Sequence, residues 1–251
     1  MIEKLFNRQE QETEEHWVSI SDVMAGLMVI FLFIAISYMV HANKEKERLV
    51  ILEGTLKDLL DVYTNLQRAL FEDLQKEFED DPEWTGTLDP ETLSIRFKNP
   101  FTQGDATVPN SFKKVLNDFF PRYIKILTKS KYKKDIAEIR IEGHTSSEWF
   151  DTVGLDRAYY NNMKLSQDRA RNVLQYVLEM SHPQATQNKE WIKKYLTANG
   201  LSSSKLLFHQ DGTQNKEESR RVEFRVVTKL EKLIDKIKEI MRASEKEGEE
   251  K

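Results

Sequence analysis

Asp22 is the residue best placed to do chemistry in this chain. It stands alone at the edge of an apolar run, and no Lys, Arg, Asp or Glu occurs between it and Lys44. A carboxylate held at bilayer depth is costly unless paired or hydrated, so an acid in such a place marks an ion or proton pathway. The plainer reading is a helix cap, in which an acidic side chain at a helix N-terminus stabilises the macrodipole by about 0.3–1 kcal/mol. Two other features invite a chemical reading and do not sustain it. His144 has the chemistry of a base or metal ligand, but the five histidines are scattered and form no His-x-x-x-His pair. Ser202, Ser203 and Ser204 form a serine run without the strand–turn–helix setting of a nucleophile elbow. With no catalytic constellation, neither an enzyme nor a bound cofactor is expected.

The element that must position Asp22 is a membrane span. From Val23 to Asn43 a helix would rise about 31 Å, close to one hydrocarbon core. The span is expected over residues 17–43, behind a charged tail of residues 1–16, with Trp17 as an interfacial anchor. Ser19 and Ser21 are placed to hydrogen-bond locally ahead of Asp22. Val40-His41-Ala42 has small residues at cleavage-site spacing. The run is nevertheless too long, and its leader at residues 9–15 too acidic, for a cleaved signal peptide. Lys4 and Arg8 precede the span while Lys44, Lys46 and Arg48 follow it, a count that leans toward a cytoplasmic C-terminal side by one residue.

Residues 44–82 read as an amphipathic helical linker. Leu49, Leu52, Leu56, Leu59, Tyr63, Leu66 and Leu70 recur in steps of three and four, the seam of a coiled coil, and Leu74 and Phe78 follow in steps of four. The expectation is a dimerising stalk, against the alternative of a helix packed on the soluble domain. Asp81-Pro82 should end it.

Residues 84–228 read as one α/β domain. Strands are expected at 92–97, 136–141 and 221–227, and helices at 109–127, 165–180 and 191–198, the last closed by Gly200. Pro121 is expected to bend the first of these helices. The order β, α, β, α, α, β predicts helices packed on one sheet. Residues 229–251 read as a final amphipathic helix and a charged tail. The fold class is therefore α+β: a single N-terminal transmembrane helix, a helical stalk, then an α/β sandwich domain.

Composition narrows the function. The chain of 251 residues is 32% charged, so the apolar run is an exception within it, and the soluble part is large. A net charge of −4 gives no reason to expect a nucleic-acid partner. The absence of cysteine removes disulfides, thiol catalysis and Cys-based metal sites.

Three pieces of the domain carry a resemblance. They are Gly143-His144-Thr145, the stretch Asn161-Asn162-Met163-Lys164-Leu165-Ser166-Gln167-Asp168-Arg169-Ala170, and Ser219-Arg220-Arg221-Val222-Glu223. As a set they resemble the OmpA-like peptidoglycan-binding domain, with its Gly-His-Thr-Asp, Asn-x-x-Leu-Ser-x-x-Arg-Ala and Asn-Arg-Arg-Val-Glu signatures, over roughly residues 90–228. The resemblance implies peptidoglycan as partner and a stem peptide bearing diaminopimelate as ligand. Thr145, Asn161 and Asn162 would supply neutral hydrogen bonds, Leu165 would hold the recognition turn, and Arg169 would grip a carboxylate near a helix N-terminus. Arg220 and Arg221 align with a motif that is at least partly structural. Ser146 departs from the family, whose Asp at that place faces the ligand's amine, and Asp151 or Asp156 is a candidate substitute.

The stretch Ser19-Ile20-Ser21-Asp22-Val23-Met24-Ala25-Gly26-Leu27-Met28 resembles the membrane segment of MotB-type stator subunits. Among these it is most similar to the MotB-like subunits of Zorya anti-phage defence systems. The resemblance implies a B-type homodimer inside five MotA-like A-type subunits in the bacterial inner membrane. The N-terminus would be cytoplasmic and the domain periplasmic, against the charge count above. Asp22 would then carry the proton or ion that drives rotation. A flagellar stator subunit shares this physics. A passive peptidoglycan tether, in which Asp22 only caps the helix, is the reading from a different class.

Overall fold

The computed structural model describes residues 2–79, 81–149, 154–235 and 237, with side chains from residue 23 onward. Asp22, Trp17 and the N-terminal tail therefore have no described side chains, and the tail at 238–251 and Asp151 lie outside the described residues. The chain divides into two compact units, residues 1–60 and 61–251.

The first unit is helical. Helix α1 (Ile2–Phe78) supplies its described residues and continues into the second unit. Every described side chain from Val23 to Val50 is exposed, including Met28, Phe33 and Tyr38. An apolar surface on all sides of a helix needs lipid or a partner protein around it. Among the described residues, one helix is long and apolar enough to cross a membrane, in its part from Val23 onward.

The second unit is built on a five-stranded sheet in the order β1-β2-β5-β3-β4. Its strands are β1 (Thr87–Asp89), β2 (Ser94–Lys98), β3 (Ile136–Gly143), β4 (Leu196–Gly200) and β5 (Arg221–Thr228). Among the described strands only β3 and β4 pair in parallel. The β3–β4 connection carries α4 (Leu155–Glu179) and the short helices α5 (Pro183–Gln187) and α6 (Lys189–Tyr195). Helices α2 (Asn110–Leu127) and α3 (Ser130–Lys133) lie between β2 and β3, and α7 (Lys216–Ser219) leads into β5. Pro121 sits inside α2 and the helix runs through it.

Strand alternation sorts the two faces of the sheet. Ile95, Phe97, Ile139, Ile141, Val222 and Phe224 are buried in the core with Leu116, Phe119 and Val173 of the helices. Phe97, Phe119 and Phe224 meet edge-on at 5.0–6.1 Å between ring centroids, a favoured aromatic geometry. The opposite face carries charges in register, with Arg96 paired to Glu223 and Glu223 to Glu142.

Two expectations change. Residues 191–198 do not form one helix, because α6 stops at Tyr195 and Leu196–Gly200 is a strand parallel to β3. Nothing in Leu196-Thr197-Ala198-Asn199-Gly200 advertises a strand; pairing with β3 creates it. The segment read as stalk also divides. Leu70, Leu74 and Phe78 are fully buried in the core, and Leu66 packs against it. Asp73 accepts hydrogen bonds from Lys129 (2.9 Å) and Tyr132 (3.0 Å). Arg122 holds the end of α1, bonding the Glu77 carboxylate at 3.0 Å and Asp81 at 2.8 Å. From Leu66 onward the linker thus belongs to the domain, because its apolar stripe completes the core.

Candidate ligand cleft

The cleft forms where α4 crosses the end of β3. Gly143 and Gly200 pair in the β3–β4 ladder directly beneath α4. Beyond them the chain is pinned by local polar bonds. Ser166 Oγ accepts from the Ser202 amide (3.0 Å), and the Ser202 carbonyl accepts from the Thr145 amide (2.9 Å). Ser202 adopts the left-handed region at φ 51° and donates its hydroxyl to the Tyr159 carbonyl at 2.8 Å. These bonds hold Thr145 beside α4, and Asn162 Nδ2, donating to the Ser146 (3.2 Å) and Glu148 (3.0 Å) carbonyls, holds the residues that follow.

The resulting cleft has a volume of about 500 Å³. Ala158, Asn162, Leu165 and Arg169 reach it from one stripe of α4, spaced by four, three and four residues as one helix face requires. Thr145 and Arg220 also line it. Thr145 Oγ1 and Arg220 Nε are buried without a hydrogen-bond partner among the described residues.

Among the site residues expected from sequence, the structure brings Thr145, Asn162, Leu165 and Arg169 together. It leaves out Asn161. Successive helix positions point about 100° apart, so Asn161 cannot share the face of Asn162, and it does not line the cleft. Helix α4 begins at Leu155, ten residues before the expected start. Arg169 consequently lies deep in the helix, far from its free N–H groups. It is 6% exposed and donates to the carbonyls of Asp105 and Thr102, both at 2.8 Å. Its guanidinium lies 4.9 Å from the Phe101 ring centroid. Burial pushes its pKa down to about 10, against the pull of Asp105, and Arg220 nearby adds to the lowering. The group stays a cation at neutral pH, but two arms of its fork already hold the 102–105 loop.

The two arginines of the third motif separate. Arg220 lines the cleft. Arg221 is buried away from it and bonds Glu223 (2.5 Å) and the Lys205 carbonyl (3.1 Å). Alternation along the chain as it enters β5 was the signal that could have told them apart.

His144 does not line the cleft. It is buried with neither ring nitrogen hydrogen-bonded among the described residues, and Nε2 lies 3.6 Å from Glu142 Oε2. Glu142, His144 and Glu223 bring one potential ligand atom each within 4.8 Å of the others. Glu223, however, is already neutralised by Arg221 (2.5 Å) and Arg96 (2.9 Å). The Glu223 carboxylate is thus committed to two arginines on the polar face of the sheet.

Ser146 is buried and lines the cleft, a neutral hydroxyl where a carboxylate was expected. Asp156 lies exposed in the first turn of α4 and does not line the cleft. Glu148 is the one carboxylate among the described residues that does, and the sequence reading passed over it.

A sheet with helices on one face and an arginine-lined cleft at the end of β3 defines the class. Residues 100–225 match the OmpA family. The chain belongs to the OmpA family and is a homologue of the Zorya protein ZorB of Escherichia coli. To that protein it is 41% identical over 243 residues, covering 94% of this chain and 99% of the relative. A MotB-like protein from Desulfovibrio vulgaris is 19% identical, with 68% of this chain and 93% of that one covered and a TM-score of 0.46. The periplasmic domain of Helicobacter pylori MotB is 17% identical, with 64% of this chain and 98% of that one covered and a TM-score of 0.38.

Proposed function

We propose that this chain is the peptidoglycan-anchored B subunit of a proton-driven rotary motor in the inner membrane, serving anti-phage defence. One observation carries the reading. A lone acid opens an otherwise uncharged span, and the same chain continues into an OmpA-family domain with a cationic cleft, at 41% identity to ZorB along nearly its whole length. Two copies would sit within a ring of five A-type subunits, paired along the seam from Leu49 to Tyr63. The N-terminus lies in the cytoplasm and the domain in the periplasm, where the cleft grips the cell wall.

In this mechanism a proton entering from the periplasm neutralises Asp22. Neutralisation removes the charge that held the facing polar groups of the ring, the ring steps, and the proton leaves to the cytoplasm. Each elementary charge crossing the membrane contributes about 2.3 kcal/mol per 100 mV. The wall anchor keeps the B dimer still, so the ring turns. Thr145, Asn162, Leu165, Arg169 and Arg220 form the wall-peptide site, with Arg220 and the remaining arm of Arg169 facing carboxylate.

The test is proton flux in liposomes holding this chain and its A-type partner. Asp22→Asn should abolish flux while the complex still co-purifies. Undiminished flux in that variant refutes the carrier role, and absence of flux in the unaltered complex leaves a passive tether.

A further inference from the structure

Glu142 and Glu223 stand directly opposite each other on the neighbouring strands β3 and β5. Like charges in that position destabilise a sheet, and these two residues are only 7% and 6% exposed. Arg221 and Arg96 serve one of them alone. Both meet Glu223 through the same oxygen, Oε1, at 2.5 and 2.9 Å. Glu142 has no such help. Among the described residues its one ion-pair partner is His144, whose Nε2 lies 3.6 Å from Oε2. His144 comes two residues after Glu142 and so shares its face of the sheet. It is 3% exposed, and neither ring nitrogen has a hydrogen-bond partner among the described residues. A buried carboxylate beside a buried, unpaired imidazole is a costly arrangement unless a cation joins them. One donor atom from each of Glu142, His144 and Glu223 lies within 4.8 Å of the other two.

We propose that Glu142, His144 and Glu223 form a structural zinc site on the polar face of the sheet, outside the cleft. The 3.6 Å between His144 Nε2 and Glu142 Oε2 is close to the edge of about 3.4 Å expected for a tetrahedron of ligands roughly 2.1 Å from Zn²⁺. Glu223 turns toward the ion the oxygen that its arginines leave. Arg221 and Arg96 then orient that carboxylate, as outer partners of metal ligands do. One imidazole and two carboxylates, with water in a fourth place, suit zinc, whereas Ca²⁺ asks for roughly six to eight oxygens. The ion ties the end of β3 to β5. This inference does not depend on how the cleft is read.

The experiment measures zinc on the full chain in detergent micelles. The protein is stripped with a strong chelator and dialysed against zinc held at a fixed free level by a weaker one, and bound metal is counted by mass spectrometry. The unaltered protein should retain one zinc per chain, and zinc should raise its urea midpoint, because an ion bound only by the folded state stabilises that state. Excess calcium should not displace it. Glu142→Gln and His144→Gln should each lose both the bound zinc and the midpoint shift. His144→Cys, which supplies a thiolate in place of the imidazole, should keep them. His209→Gln, at an exposed histidine outside the cluster, should also keep them. If His144→Gln does not fold, as far-ultraviolet circular dichroism would show, Glu142→Gln and His144→Cys decide the matter. No zinc on the unaltered protein overturns the proposal, and so does zinc retained equally by folded Glu142→Gln or His144→Gln.

Discussion

Gly143 and Gly200 sit side by side in the parallel β3–β4 ladder, and each lies against the backbone of α4. A Cβ on Gly143 would collide with the Ser166 carbonyl oxygen and stand 3.1 Å from its carbonyl carbon. A Cβ on Gly200 would collide with the Gln167 amide and stand 2.6 Å from Gln167 Cα. Gln167 completes the contact by accepting from the Gly200 amide at 2.7 Å and donating to the Ala198 carbonyl at 3.2 Å. This close approach puts the Asn162–Arg169 face over the end of β3, so the cleft depends on the absence of two side chains.

Gly143→Ala and Gly200→Ala should each destabilise the domain by about 1–3 kcal/mol or more, because the obstructing atoms are helix backbone and cannot rotate away. Gly54→Ala, with nothing within 4 Å on an exposed helix, should be neutral or slightly stabilising. Urea unfolding of the full chain in detergent, followed by tryptophan fluorescence, measures all three. Equal stability of Gly143→Ala and the unaltered protein would contradict the close packing.

Leu74 and Leu52 continue one helical seam but have different surroundings. Leu74 is completely buried, whereas Leu52 is 64% exposed. Leu74→Ala should cost the domain about 2–5 kcal/mol through lost burial and a residual cavity. Leu52→Ala should leave domain unfolding unchanged; if two copies pair as proposed, it should instead weaken their cross-linking in membranes. If Leu74→Ala leaves domain stability intact, the end of α1 is not part of the core.

Glu223 ties domain stability to pH. Burial alone would raise its pKa, but Arg221, with His144 and Arg96, outweighs burial and holds it at about 2, below its ordinary 4.5. A carboxylate with a depressed folded pKa stabilises above its unfolded value and loses that contribution as pH falls. The loss should therefore run from about pH 5 down to about pH 2, and on the order of 3 kcal/mol is at stake. Glu223→Gln should flatten the fall in urea midpoint between pH 5 and pH 3. An unchanged slope would assign acid sensitivity to other groups, such as Glu138, which is also held at about 2: burial raises it, and the Arg140, Thr197 and Lys232 bonds outweigh that.

Local pattern made much of the chain legible. The uncharged run after Asp22, the alternation of β3 and β5, and the 3.6-residue spacing of α2 could be read directly, since each signal lies within a few neighbouring residues. The motif residues Thr145, Asn162, Leu165 and Arg169 were also named, and they do meet in one cleft. Strand β4 was not legible, because Leu196–Gly200 becomes a strand only through its parallel neighbour. Nor was the fate of Leu70, Leu74 and Phe78: an apolar stripe on a helix is the same in sequence whether a second helix or the helix's own domain covers it. The division of labour between Arg220 and Arg221, and the place of Glu148 beside Asn162, likewise needed the folded chain. The sequence by itself determined which residues are apolar, charged and periodic, and hence the span and the fold class. Only the tertiary structure decided which surfaces meet, because contacts between distant segments depend on shape and register that no local spacing encodes.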